Sequence, residues 1–238
     1  MGGNETLNFY RNRSKESPQM KIRVETKCAL LALGMLWAKA GIAWDLKKDA
    51  DGVKVYTQEV KGSNMREFKA VTTMHSTLAG LMAVLEDVES YPSWFAACKE
   101  AKVLKVVSDT ERLHYFVNDA PFPISLRDMI LRIQVTQDEK TKDVTIHLND
   151  DKEFMPPAKG MVRVTHLKGY WEFKPVGKGD VEVTYRLHTE PGGSLPAWAV
   201  NVTIVDNPFK TVKSMREKVK DSKYQKAKYA LLKEPDAS

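Results

Sequence analysis

The tightest constraint on this chain lies near its C-terminus. There Trp198, Val202, Val205, Phe209, Val212, Met215 and Val219 recur at spacings of three and four. That spacing puts them on one stripe of a helix, while Asn201, Asp206, Lys210, Lys213 and Lys218 fall elsewhere. Pro191-Gly192-Gly193 ends whatever precedes it, Ser194 can cap, and Pro196 is tolerated in a first turn. Asn207-Pro208 inside the pattern removes one backbone bond and predicts a kink. Almost everything from Val53 to Thr189 reads as strand. A long helix with one apolar face, following a large antiparallel sheet, must bury that face on the sheet's concave side. The expected class is therefore α+β, a curved antiparallel sheet wrapped around a long C-terminal helix.

Upstream, Val53–Thr57 and Arg66–Met74 alternate as strands do, with a helix expected over Leu78–Val88 behind a Ser76 or Thr77 cap. Further strands are expected at Ala101–Val107, Arg112–Val117, Asp128–Thr136, Val144–Leu148, Met161–Phe173 and Val181–Thr189. The connections near Asp109, Asp138 and Gly177 are too short for helical crossovers, so the sheet is antiparallel. No repeat or linker divides this stretch, and one domain over residues 41–230 follows.

The net charge of +6 is unevenly placed. Residues 210–233 carry nine Lys/Arg against two Asp/Glu, whereas residues 41–209 carry 21 against 24. A basic tail helix of this kind is either a solvated face or an attraction toward anionic headgroups. No basic run is interleaved with aromatics in a nucleic-acid module, so no nucleic-acid partner is expected. Met20 opens a second plausible start. Lys21, Arg23 and Lys27 precede an apolar run from Cys28 to Ala38, and Ala38-Lys39-Ala40 fits a small-x-small cleavage site. Residues 20–40 are read as a signal peptide and 1–19 as an unstructured extension or over-long start. The mature protein is then exported, to a periplasm, and Cys98 is its single thiol, read as a small buried apolar residue.

Catalytic signatures are missing: no G-x-S-x-G, no H-E-x-x-H, no phosphate-binding glycine loop, no Cys-x-x-Cys. His75, His114, His147, His166 and His188 are scattered singly over strands. Neither a catalytic set, a metal site nor a cofactor is expected. Two features stand out. Arg127-Asp128 opens a strand, where charges need partners: either the two pair and anchor a loop, or they stand at a cavity wall. Large rings recur around the curved sheet, with Trp94 and Phe95 after one helix, Trp171 and Phe173 on one strand face, and Trp198 and Phe209 on the terminal helix. Such rings fill a core or line a pocket.

Four segments carry a resemblance. Glu89–Trp94, the Pro-x-Pro-x-Ser-x-Arg-Asp run at 121–128, Gly169–Pro175 and Pro191–Asn201 resemble, in this order, the START family of steroidogenic-acute-regulatory-protein-related lipid-transfer domains. The likeness spans Trp44 to Val219. It implies a helix-grip fold enclosing a tunnel for one lipid or sterol, with Arg127 the one polar residue carried over by motif. The hairpin at Asp138–Asp143 is shorter than in many relatives. The expected wall comprises Trp94, Arg127, Trp171, Trp198, Asn201, Val202, Val205, Phe209 and Val212. The expected function is binding of a single phospholipid, fatty acid or sterol-like molecule by a monomer, with carriage between membranes and contact through the basic tail. The alternative is a helix-grip enzyme, a cyclase or hydrolase, using the same cavity.

Overall fold

The computed structural model describes residues 43–119, 124–193, 195 and 202–235. The expected leader and N-terminal extension lie outside the described residues. Among the described residues ten strands form one sheet: β1 Asp45–Ala50, β2 Val53–Gln58, β3 Glu67–His75, β4 Cys98–Ser108, β5 Glu111–Asn118, β6 Arg127–Gln137, β7 Val144–Asp150, β8 Val162–Arg163, β9 His166–Gly177 and β10 Asp180–Glu190. Their order is β1-β2-β3-β10-β9-β7-β6-β5-β4, all antiparallel, with two-residue β8 running parallel to the start of β6. The α+β helix-grip architecture is therefore present. Strand β1 was not legible: Asp45-Leu46-Lys47-Lys48-Asp49-Ala50 is an edge strand with little to bury. It is held by a two-residue turn in which Asp51 and Gly52 both adopt positive φ, the geometry that suits a strand's twist. The single strand expected over 161–173 is two, β8 and β9, because the chain steps from one neighbour to another.

Helix α1 spans Leu78–Glu86, and Thr77 caps it by accepting from the Gly80 N–H at 2.9 Å. Its remaining free donors, the Leu78 and Ala79 N–H groups, reach the Glu234 carboxylate at 3.0 and 2.8 Å. A residue near the C-terminus thus completes the cap, with its charge at the helix's positive end.

The terminal helix departs from a single kinked rod. Val202–Asp206 forms one wide π-helical turn, and α2, Asn207–Lys218, follows directly. Pro208 sits in the first turn of α2, directly behind the wide turn, so the N–H it lacks falls where the helical bonding pattern changes. The wide turn lies immediately before Asn207-Pro208, where the sequence predicts a kink. A short α3, Ser222–Gln225, follows. Helix α2 packs chiefly on β2 and β3, burying Val212, Met215 and, just beyond its end, Val219 against Val53, Val55 and Met74.

On β6 the neighbours Arg127 and Asp128 do not pair. Successive strand residues face opposite sides of a sheet: Arg127 faces the concave side and Asp128 the convex side. Asp128 is fully buried and takes a bidentate grip from Arg163 of β8, Nε to Oδ1 at 3.0 Å and Nη2 to Oδ2 at 2.8 Å. Arg163 spends its other N–H groups on the carbonyls of Lys152, Met155 and Pro156, and the Ala158 N–H donates to Asp128. The loop-anchoring ion pair is real, but its cation is Arg163.

Burial alone would raise the Asp128 pKa; the Arg163 guanidinium and the Ala158 N–H outweigh it and hold the carboxyl below its usual range. Its stabilisation is present above about pH 4 and is lost as pH falls through the depressed folded value. Arg163→Met strands a buried carboxylate and should cost about 3–5 kcal/mol in urea unfolding. The double variant with Asp128→Leu should cost less than Arg163→Met alone. Equal losses would show that the two charges are uncoupled.

Candidate functional site

Between the concave face, α1 and the π-helical turn lies a cavity of about 500 Å³, within the range of single-ligand pockets, roughly 300–1,000 Å³. Its walls follow from strand alternation. Phe116 of β5, Met129, Leu131 and Ile133 of β6, Ile146 and Leu148 of β7, Trp171 of β9 and Tyr185 and Leu187 of β10 all face inward and line it. The outward set of β5 and β6, Tyr115, Val117 and Ile130, forms a separate small cluster with Leu104, Leu126 and Met161. Trp171 and Tyr185 stack at 4.0 Å with 2° between their planes, giving the wall a flat rigid panel. Tyr91, Phe95 and Phe116 supply a second aromatic surface, Tyr91 and Phe95 being stacked at 5.4 Å.

Two polar side chains interrupt this apolar wall without partners for their buried atoms. His114 of β5 is 2% exposed, and neither ring nitrogen has a hydrogen-bond partner among the described residues. Burial, with a smaller push from Arg112, lowers its pKa to about 4, so it is a neutral imidazole with one donor and one acceptor. Arg127 is 7% exposed; one Nη donates to the Ser125 carbonyl, and Nε has no partner among the described residues. No carboxylate forms an ion pair with it among the described residues. Burial lowers its pKa. Glu86 also lines the cavity, but Arg112 holds it at 3.0 Å and Tyr229 approaches at 3.4 Å. Burial raises its pKa, against the pull of Arg112. Cys98 is a buried free thiol, pushed up to about 11 by burial.

Of the residues expected on the wall, Arg127 and Trp171 stand there. Trp94 does not: its indole N–H is taken by the Ser90 hydroxyl at 3.2 Å, which holds the ring over the 3-10 turn Val88–Ser93 and leaves Phe95 to face the cavity. Val205, Phe209 and Val212 also face elsewhere. A π-turn closes its hydrogen bonds one residue later than an α-turn, so a stripe projected at 3.6 residues per turn rotates out of register across 202–206. Ile204 and Asn207 line the cavity instead. Phe209 packs into the core with Lys48 Nζ 4.1 Å above its ring. Trp198 and Asn201 lie outside the described residues, as does the side chain of Val202. His114 was missed because five scattered histidines look alike. The signal was its place between Leu113 and Tyr115-Phe116-Val117, a polar residue sharing a strand face with Phe116.

Residues 36–225 match the START domain family. The chain belongs to the START family. It is 41% identical over 175 residues to an uncharacterised protein of Pseudomonas aeruginosa, covering 73% of this chain and 85% of that one. Against the phosphatidylcholine transfer protein of Rattus norvegicus identity is 26%, with 69% and 78% covered. Among solved structures, the STAR-related lipid transfer protein of Xanthomonas axonopodis superposes with a TM-score of 0.68 at 35% identity, covering 74% of this chain and 98% of that fragment. Human StAR-related lipid transfer protein 5 gives 0.65 at 17% identity, covering 74% and 86%, a likeness of fold.

Two measurements test this START cavity. With an unfolded pKa near 6.5 and a folded value of about 4, His114 takes up a proton in the unfolded state first. Its contribution is present above about pH 6.5 and falls by roughly 3 kcal/mol as pH drops toward 4. Urea midpoints at both ends of that window should show this slope flattened in His114→Phe. An unchanged slope would mean that the imidazole is not held neutral. Phe209→Ala should cost roughly 3–5 kcal/mol as a core truncation, and by the same amount with and without bound lipid. A loss confined to the lipid-loaded protein would return Phe209 to the cavity wall.

Proposed function

We propose that this START protein binds one lipid in the cavity and carries it between membranes, without altering it. The observation that carries this reading is the apolar cavity itself, walled by the inward residues of six strands, with a neutral imidazole and a guanidinium without an ion pair among the described residues as its unsatisfied polar points. An acyl chain or ring system leaving water for such a wall gains about 25 cal/mol per Å² buried, and a few polar groups fix its orientation. The lipid-transfer names of the Xanthomonas and rat relatives point the same way. Phospholipid, fatty acid and sterol-like ligands are the classes considered.

Contact with a membrane surface is assigned to the basic tail. Part of its charge is already used: Lys213 pairs with Asp51, Lys220 with Glu217 and Lys223 with Asp87. Lys210, Lys226 and Lys228 are exposed and form no ion pair among the described residues, which leaves them for anionic headgroups. A monomer exported by residues 20–40 remains part of the proposal. The enzyme alternative needs an acid and a base brought together. His114 and Glu86 line one cavity, yet no hydrogen bond joins them and Glu86 is engaged by Arg112.

Native mass spectrometry on protein purified from its own host tests both parts at once. The expected mass begins at or near Gly41 and carries one non-covalent lipid. Added back at a hundredfold excess over its dissociation constant, that lipid should stabilise delipidated protein by about 2.7 kcal/mol. Residues 1–40 retained on cytoplasmic protein would defeat export. A protein that carries no lipid, and whose melt no lipid shifts, would defeat the binding reading.

A further inference from the structure

The two unpartnered polar groups of the cavity are not side by side. In the β5–β6 register His114 lies opposite Leu131, and Arg127 lies opposite Asn118. Residues 114 and 118 share the concave face, as do 127 and 131, so four residues of strand separate the two levels, about 13 Å at about 3.3 Å per residue. Arg127 stands at the end marked by Asn118, opposite it in the register, and His114 at the end marked by Glu86, which pairs with Arg112 two residues from His114; Asn118 and Glu86 both line the cavity. Between them the wall is apolar: Phe116 and the Met129 opposite it.

Resting on the lipid-binding reading, we propose that the ligand is an acidic lipid with two polar points: an anionic oxygen that meets Arg127, and an uncharged hydroxyl or carbonyl about 13 Å along its chain that meets His114. Each half has its own warrant. A guanidinium that is nine-tenths buried without a counter-charge is costly, and an anionic head relieves that cost with a charge-assisted bond. An imidazole with both nitrogens buried and unmatched is costly too. Being uncharged around neutral pH, it recognises an oxygen that carries no charge: Nε2 or Nδ1 donates to a carbonyl or hydroxyl, and the other nitrogen accepts from a hydroxyl. A plain fatty acid satisfies only the first point, and a sterol alcohol only the second.

Oleate and ricinoleate are matched probes, since ricinoleate differs by one mid-chain hydroxyl. Their affinities for the delipidated full chain would be measured by displacement of a fluorescent fatty acid, with methyl ricinoleate as the uncharged control. Ricinoleate should bind roughly tenfold more tightly than oleate, the difference expected for one buried hydrogen bond made or left unmade. Methyl ricinoleate should bind roughly tenfold less tightly than ricinoleate. His114→Phe should erase the first preference and keep the second, while Arg127→Met should do the reverse. The wild-type comparison needs no variant to fold. Oleate and ricinoleate binding alike, or the ester binding as well as the acid, overturns the two-point assignment. If phosphatidylcholine vesicles deliver lipid to the protein and neither acid binds, the assignment falls while the lipid-binding reading stands. If nothing binds, both fall.

Discussion

The structure turns on one geometric fact about β6: adjacent residues of a strand point to opposite sides. Because Arg127 and Asp128 are neighbours, they cannot neutralise each other, and each must find its partner in a different compartment. Asp128 finds Arg163 on the convex side. That pair does more than balance a charge. Through its remaining donors Arg163 gathers the carbonyls of the 152–156 loop, and β8 is thereby laid along the start of β6. Arg127 is left on the concave side with no counter-charge among the described residues. A folded chain keeps such a group at a cost of several kcal/mol, and here the group stands in the wall of the cavity.

The helix and sheet were legible in the sequence for different reasons, and failed differently. Alternation marked β7, β9 and β10 because each buries chiefly one face, whereas β5 and β6, buried on both faces over Leu113–Val117 and Arg127–Leu131, were legible as apolar runs between turns. Strand β1 has almost nothing to bury, so no period marks it; its existence depends on the Asp51-Gly52 turn and on ion pairs such as Lys48–Asp206. The terminal helix was legible as an apolar stripe, but one wide turn at 202–206 rotates everything on its far side. Val205, Phe209 and Val212 are apolar for the core's sake rather than the cavity's. Periodicity tells which residues share a stripe; it cannot tell which of two apolar environments that stripe meets.

The candidate site was half legible. Arg127 stood out because a charge at the start of a buried strand demands an explanation, although the sequence offered the wrong partner for its neighbour. Trp94 stood out for size, yet Ser90 four residues before it fixes the indole away from the cavity, and Phe95 takes that place. His114 was hidden because the informative quantity is the absence of a partner, which only the assembled structure reveals.

These observations set stability against function at the same two positions. Replacing His114 and Arg127 by apolar residues of similar volume would remove two unsatisfied groups, each worth roughly 1–3 kcal/mol or more when buried, and the empty domain would gain by it. What the domain would lose is orientation. An apolar wall holds a chain by area alone, so any chain of the right length enters in either direction. In the proposed two-point mode, His114 and Arg127 favour one direction and one class of molecule, and their cost in the empty state is returned when that molecule binds. Under the proposed lipid-binding reading, a START cavity of this kind is most stable when loaded, and release would require the cavity to meet a surface where the lipid is equally well solvated.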